Sequence, residues 1–221
     1  MQLIYNDTAI VVVNKTPGEL VQTDKEGNIT LPEILRNEGI TEKKVYVVHR
    51  IDRRASGLVL FAKTKKVADE FSRMFQNQQI QKNYWAIVKN CPPKQDDRLT
   101  HYLIKNEKQN KSIAYDAEQK NSKKAELYYR VIAKTDNYYL LEIELFTGRH
   151  HQIRAQLAKV GCPIKGDIKY GAERTNKDGG ICLHAREMQF EHPFQNKKMH
   201  FIADTPDDKL WNDCVALINK I

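Results

Sequence analysis

One carboxylate stands among three arginines in a short polar segment of the sequence, residues 49–57. The carboxylate is Asp52, and its neighbours Arg50, Arg53 and Arg54 share a segment flanked by two apolar runs that favour strands. Loops held between strands often carry catalytic groups. Guanidinium neighbours favour the ionised form of a carboxylate, so Asp52 is suited to act as a nucleophile or a base rather than as a general acid. The alternative interpretation is a surface turn in which Asp52 is only an ion-pair partner.

A second polar cluster, Thr-Gly-Arg-His-His-Gln-Ile-Arg, occupies residues 147–154. A glycine turn that opens a helix favours anions, because the first N–H groups of a helix are unpaired and its dipole is positive there. We expect Arg149 at this opening and Arg154 about one turn further on, where it could reach a partly buried carboxylate. Adjacent histidines point to different helix faces, so His150 and His151 do not form a metal site. They are either ordinary surface residues or RNA contacts.

The charge of the chain is positive and unevenly distributed. There are 36 Lys and Arg against 28 Asp and Glu among 221 residues, a formal net charge of +8. Residues 42–89, 101–134 and 145–170 carry +7, +4 and +4, so the remainder of the chain carries −7. Clustered positive charge favours a polyanionic partner, because contacts to phosphates release condensed counterions. Together with Asp52, this distribution suggests chemistry on a nucleic acid as well as binding.

Several classes of protein are disfavoured by the sequence. The longest purely apolar runs, residues 9–13 and 58–62, are far shorter than the roughly 20 residues of a membrane-spanning helix. The N-terminus lacks the basic and apolar regions of a signal peptide. The four cysteines are scattered without a C-x-x-C pair, which argues against a zinc site or a disulfide framework. We expect a cytoplasmic protein without a metal or a membrane partner, and a monomer by default.

The elements that must position these residues follow from hydrophobic patterning and capping signals. The predicted strands cover residues 10–13, 45–48, 57–62, 82–88, 125–133, 138–146 and 181–190. Four helices are predicted: one after Thr30, one after Thr64, a short one through Ile153 to a glycine at position 161, and a C-terminal one at about 206–221. Residues 105–124 are polar and predict a long surface excursion. Strands outnumber helices without regular alternation, which favours an α+β fold over a doubly wound α/β sheet.

Five blocks of the sequence, in order, resemble the RluA-type RNA pseudouridine synthases. His-Arg-Ile-Asp-x-x-x-Ser-Gly-Leu at 49–58 is similar to that family's H-R-L-D-x-x-T-S-G-L block. The other matches are K-x-Y-x-A at 82–86, T-G-R-x-H-Q-I-R at 147–154, P-I-x-G-D-x-x-Y-G at 163–171, and L-H-A at 183–185 with His-Pro at 192–193. The blocks span about residues 10–202, and the ordered set is far more specific than any single block.

Two departures from the family pattern stand in the first block. Ile51 replaces the usual Leu, which is nearly neutral in volume, and Ala55 replaces the usual Thr, which removes a hydroxyl that could bond the loop backbone. The resemblance implies a pseudouridine synthase fold: a mixed, mostly antiparallel central sheet with flanking helices and a basic catalytic cleft. It also implies a single catalytic domain over residues 1–221, and the S4 RNA-binding module of many relatives is not expected.

The resemblance further implies the reaction and the roles of individual residues. Such an enzyme isomerises uridine to pseudouridine in structured RNA, either rRNA or tRNA, with no redox cofactor. Asp52 matches the catalytic carboxylate, acting either on the sugar carbon or as a base, and Arg154 matches the basic group that holds it. Tyr84 matches the tyrosine that stacks on the target base, and Arg50 an arginine that fills the space left by the everted base.

The remaining candidates and alternatives complete the prediction. Arg149 and His151 are expected to contact RNA, and Leu183 to pack near the uracil. A second hypothesis is a non-catalytic RNA-binding protein that keeps the fold, although it leaves the joint presence of Asp52, Tyr84 and Arg154 unexplained. A glycoside hydrolase would need two carboxylates flanking the bond, whereas the loop around Asp52 supplies one.

Overall fold

The computed structural model of the protein describes residues 1–23 and 26–219. Within them the strands are β1 (Gln2–Asn6), β2 (Ile10–Lys15), β3 (Tyr46–Val47), β4 (Ser56–Ala62), β5 (Gln81–Val88), β6 (Asp96–Asn106), β7 (Lys111–Tyr115), β8 (Lys123–Lys134), β9 (Tyr139–Leu145), β10 (Leu183–Glu191) and β11 (Lys198–Ile202). The helices are α1 (Leu31–Asn37), α2 (Lys65–Gln76), α3 (Gln152–Lys159) and α4 (Lys209–Ile218), with a 3₁₀ helix at Ile168–Tyr170. The predicted α+β class is confirmed.

The four predicted helices are all present, and their capping residues explain where they begin. The Glu33 carboxylate accepts hydrogen bonds from the Thr30 backbone and hydroxyl at the start of α1. Thr64 accepts from the backbone N–H of Val67 in α2, and Asp208 begins α4. Residues 220 and 221 of the predicted C-terminal helix lie outside the described part of the chain. None of the described helices is long and apolar enough to cross a membrane.

The chain divides into two compact units. The first unit contains residues 1–82 and 184–206, and the second contains residues 83–183 and 207–221. Each unit therefore combines two separate stretches of sequence.

In the first unit, β4 is the central strand and is buried along its whole length. It pairs antiparallel with β2 and β3 and parallel with the beginning of β10, while β1 extends the sheet beyond β2. Leu58 and Leu60 face a cluster that includes Phe71 of α2, whereas Val59 and Phe61 face a cluster that includes residues of α1. Because helices cover both faces, the strand reads as a continuous apolar run rather than an alternating one.

Gly57 explains how β4 and β10 approach each other so closely. Its φ of +111° lies in the left-handed region, and a Cβ at this position would overlap the backbone N and O atoms of Ala185. Only glycine permits this approach without a shift of the backbone. The residue thus fixes the start of β4, directly after the loop that contains Asp52.

In the second unit, the strands follow the order β5-β9-β8-β6-β7, all antiparallel. Strands β8 and β9, predicted at residues 125–133 and 138–146, pair antiparallel as a hairpin. Helix α3 packs against β6 and β7, and α4 packs against β8. A small apolar cluster joins Leu103, Ala125, Ala155 and Tyr170, which places the 3₁₀ helix against the sheet and α3.

Residues 105–124 lie mostly at the surface, as predicted, but they are not a loop throughout. Nine of its 20 residues belong to the sheet: the end of β6 pairs with β7 from Tyr102–Tyr115 to Asn106–Lys111, and β8 begins at Lys123. The segment is polar because β7 lies at the edge of the sheet, where few of its side chains are buried. Ser112 is an exception, with 2% of its surface exposed, and its partners are polar.

Candidate active site

Asp52 lies in the loop between β3 and β4, immediately before the buried central strand of the first unit. Its side chain is half-buried, and its backbone carbonyl accepts a hydrogen bond of 3.0 Å from the N–H of Ala55. Arg50, two residues earlier, is exposed. The predicted loop between two strands is confirmed, and Asp52 sits in a closed turn rather than in an extended segment.

A buried lysine fixes the backbone that follows Asp52. Lys15, at the end of β2, is 0% exposed. Its ammonium donates to three backbone carbonyls: those of Thr16 at 2.8 Å, Arg53 at 3.0 Å and Ala55 at 2.7 Å. All three N–H donors of an ammonium group are thus used, two of them on the loop. The sequence alone gives Lys15 no role, because its two partners in the loop lie 38 and 40 positions later in the chain.

The same ammonium also influences the charge of the loop. Burial lowers the pKa of Lys15 to about 8, against the opposing effect of the Glu19 and Asp52 carboxylates. The group is therefore mostly protonated at neutral pH. The loop that carries Asp52 is therefore held by a positively charged group at its Arg53 and Ala55 carbonyls.

Lys15→Met is expected to lower the kcat of the uridine isomerisation that the sequence blocks imply about 10- to 100-fold while leaving the KM for RNA nearly unchanged, because the loop loses its anchor but RNA contacts remain. Single-turnover tritium release from RNA labelled at uridine C5 measures the effect. Lys65→Met, an exposed lysine at the start of α2, is the matched control. An unchanged kcat in a folded Lys15→Met variant would remove Lys15 from this positioning role.

A second contact joins the loop to the turn after β2. The backbone N–H of Gly18 donates to the Arg53 carbonyl at 2.8 Å, and the Arg53 Nε donates to the Gly18 carbonyl at 3.2 Å. Gly18 has a φ of +93°, which favours glycine. The Pro-Gly turn at positions 17 and 18 is thus hydrogen-bonded to the Asp52 loop.

The C-terminal side of the loop is held by a buried histidine. His184 Nδ1 lies 2.9 Å from the Ser56 hydroxyl, and its Nε2 lies 3.1 Å from the Ala203 carbonyl. Because a carbonyl only accepts, Nε2 carries the proton and Nδ1 accepts from Ser56. Burial lowers the pKa of His184 to about 4, so the ring is neutral at physiological pH. The His184 ring thus fixes the beginning of β4 by hydrogen bonding rather than by charge.

In the second unit, Arg154 on α3 forms a buried ion pair with Asp167. Its Nε donates to Oδ2 at 2.7 Å and its Nη2 donates to Oδ1 at 2.8 Å, with 3% of the arginine side chain and 0% of the aspartate side chain exposed. The Tyr170 ring lies against the guanidinium, 4.9 Å from its carbon. These two hydrogen bonds hold the guanidinium in one orientation and use its Nε–Nη2 edge.

The two histidines before α3 contact Tyr170 and Ser112. Their rings stack with centroids 3.8 Å apart, and His151 Nδ1 lies 3.1 Å from the Tyr170 hydroxyl. His150 Nδ1 lies 2.9 Å from the Ser112 hydroxyl, which itself donates to the His150 carbonyl at 2.7 Å. His151 adopts a left-handed φ of 52°, an uncommon conformation for a residue other than glycine. These contacts join β7, the start of α3 and the 3₁₀ helix.

The other predicted site residues of the second unit differ in exposure. Tyr84 lies on β5 opposite Ile143 and is 8% exposed, and Leu183 is buried at the start of β10. Arg149 is exposed, and its Nε donates to the Lys124 carbonyl at 3.0 Å. The helix begins at Gln152, so Arg149 precedes it by one turn instead of standing at its opening.

The model for the RNA pseudouridylate synthase family matches residues 9–159 of the sequence. The chain belongs to this family. A tRNA pseudouridine synthase C of Vibrio parahaemolyticus is 30% identical, over 94% of this chain and 91% of its own length. A ribosomal large subunit pseudouridine synthase C of Buchnera aphidicola is also 30% identical, over 91% of this chain and 66% of its own length.

Solved structures show the same fold for this synthase. Human RNA pseudouridylate synthase domain containing 4 superposes with a TM-score of 0.77 at 21% identity, covering 99% of this chain and 93% of its own. Human RNA pseudouridylate synthase domain containing 1 gives the same TM-score at 20% identity, with coverages of 96% and 86%. The synthase therefore has the fold that the five sequence blocks implied.

The predicted site residues of the synthase belong to different units. Asp52 and Arg50 lie in the first unit, whereas Tyr84 and Arg154 lie in the second. The pairing of Arg154 with Asp52 stays a prediction. The sequence blocks contained Asp167 and Tyr170, but patterning alone gave them no role, because their contact with Arg154 depends on the packing of the 3₁₀ helix against α3.

Proposed function

We propose that this synthase isomerises uridine in tRNA, with Asp52 as the reacting carboxylate. The N1–C1′ glycosidic bond breaks, the uracil turns, and a C5–C1′ bond forms. The C5 proton is lost to solvent and N1 gains one, so atoms and electrons balance without a redox cofactor. The target base must leave its stack to reach a partly buried carboxylate, at a cost of a few kcal/mol.

The observation that carries this proposal is the fixed loop of Asp52. Lys15 binds the carbonyls of Arg53 and Ala55, and Asp52 closes a turn with Ala55. If Asp52 were only a surface ion-pair partner, its loop would not need the buried Lys15 ammonium to hold its backbone. Pre-organisation of this kind suits a group that must meet a substrate atom in one geometry.

The roles of the other residues follow from their chemistry. Arg154 is fixed by Asp167, and we assign it the task of orienting the Asp52 carboxylate. Tyr84 offers an aromatic face for stacking on the uracil, and exposed Arg50 offers a guanidinium plane that can replace the everted base.

Three more residues are assigned to the RNA substrate. Arg149 is exposed and supplies a cation for the backbone. His151, which contacts Tyr170 just before α3, is assigned to an RNA contact. Buried Leu183 is assigned to packing near the uracil. The four cysteines, all within the described residues, are free thiols, which is typical of proteins of the reducing cytoplasm, where we propose that the synthase acts as a monomer.

The tRNA assignment has its own test. Several 30%-identical relatives are named tRNA pseudouridine synthase C, which favours tRNA over rRNA. Transcripts of tRNA and of large-subunit rRNA, each tritiated at uridine C5, are incubated separately with the enzyme. We expect tritium release from tRNA at least about tenfold faster, the discrimination that about 1.4 kcal/mol of differential binding supplies. Faster release from rRNA would contradict the tRNA assignment, and release from neither, with RNA still bound, would favour the non-catalytic alternative.

A further inference from the structure

A half-buried lysine in the first unit lies beside an aromatic ring without an acidic partner. The Lys82 Nζ is 5.2 Å from the centroid of the Phe75 ring. No carboxylate pairs with it among residues 1–23 and 26–219. Burial lowers the pKa of Lys82, the effect expected of an ammonium that has lost water without gaining a counterion.

A histidine lies at the same ring. The His49 ring is 5.3 Å from Phe75, and its Nε2 accepts the backbone N–H of Leu60 at 2.9 Å. Nε2 is therefore unprotonated, and the proton of the neutral ring is on Nδ1. Burial and the nearby Lys82 lower the pKa of His49 to about 3, so the ring stays a neutral donor at physiological pH. Within the described chain, Nδ1 has no hydrogen-bond partner.

We propose that Lys82 and His49 form a binding site for one backbone phosphate of the RNA substrate. An ammonium and an imidazole N–H, both beside the Phe75 ring and both without an acceptor among the described residues, are suited to donate to phosphate oxygens. A phosphate also supplies the negative charge that a desolvated ammonium lacks. The contact reads no base, so it positions the RNA rather than selecting its sequence.

The location of the pair indicates which phosphate is bound. His49 precedes Asp52 by three residues, a span of at most about 11 Å. A phosphate held there belongs to the nucleotides that flank the reacting uridine. The inference rests on the proposed function for the identity of the substrate, but not for the binding of RNA.

The test is the salt dependence of tRNA binding, measured with unfractionated tRNA over a series of KCl concentrations. Lys82→Met keeps the aliphatic stem against Phe75 and removes the charge. We expect the slope of log Kd against log salt to fall by about 0.7–1, and binding at low salt to weaken about tenfold.

Lys66 provides a matched control on the same unit. Its Nζ lies 5.3 Å from the Phe194 ring, the same arrangement, but both side chains are exposed. Lys66→Met should leave the salt slope unchanged, and Lys82→Arg should keep it at the wild-type value. If Lys82→Met does not fold, Lys82→Gln is measured instead.

The outcomes separate this inference from the proposed function. The phosphate site would be overturned if folded Lys82→Met or Lys82→Gln showed the wild-type slope of log Kd against log salt. An equal loss in Lys66→Met would overturn it too, since the effect would then be general charge removal. A wild-type protein that binds RNA with the expected slopes but releases no tritium would overturn the proposed function and support the phosphate site.

Discussion

Asp52→Asn is expected to lower the rate of tritium release from C5-labelled tRNA by at least about 10³-fold, in line with the loss of a reacting group elsewhere in enzymology. Both roles open to the carboxylate, attack on the sugar carbon and removal of a proton, need a negative oxygen that an amide lacks. The substitution is nearly isosteric, and the loop is held by Lys15 through backbone carbonyls rather than through the Asp52 side chain. RNA affinity should therefore change by less than about threefold, since one charge is altered.

The control for this experiment is Asp69→Asn, an exposed carboxylate on α2. It removes the same charge from the first unit and should leave both rate and affinity unchanged. Turnover by Asp52→Asn above about a tenth of the wild-type rate would contradict the role of Asp52. A parallel loss of RNA binding would indicate that Asp52 shapes the loop rather than reacting.

Local signals predicted much of the fold because they act over a few residues. The caps at Thr30 and Thr64 and the apolar run of β4 each depend on spacing within a single element. The edge strand β7 was missed because an edge strand buries little and so shows almost no apolar pattern. Strand β11 does alternate, with Met199 and Phe201 buried, but five residues give a weak signal.

Some residues of the candidate site can likewise be predicted from local sequence, and others cannot. Residue type and neighbours predict Asp52 as a candidate, and the resemblance of the sequence blocks adds Arg154; both roles stay predictions. Lys15 and Asp167 could not be assigned from sequence, because each acts on a residue distant in the chain: Lys15 on Ala55, 40 positions later, and Asp167 on Arg154, 13 positions earlier. For His150 and His151, the sequence predicts either ordinary surface residues or RNA contacts. In the structure, both also contact other side chains of the protein.

Asp167→Ala is expected to lower the free energy of unfolding by about 3–5 kcal/mol, because it leaves a buried guanidinium without its carboxylate. Arg154 has 3% of its side chain exposed, so water cannot replace the lost partner without a rearrangement of α3 or the 3₁₀ helix. Activity should fall as well, since the bidentate pair fixes the guanidinium that we assign to Asp52. Urea unfolding and tritium release on the same preparation measure both effects.

Two further variants decide whether the cost comes from the uncompensated charge. Asp213→Ala breaks an exposed pair with Lys209 on α4 and should cost no more than about 1 kcal/mol, as is usual for surface ion pairs. The double variant Asp167→Ala with Arg154→Met removes the buried charge together with its partner. It should be more stable than Asp167→Ala alone while remaining inactive, because an apolar replacement of a buried pair is often tolerated but cannot orient a carboxylate. A double variant no more stable than the single one would show that Asp167 acts through packing of the 3₁₀ helix rather than through the charge of Arg154.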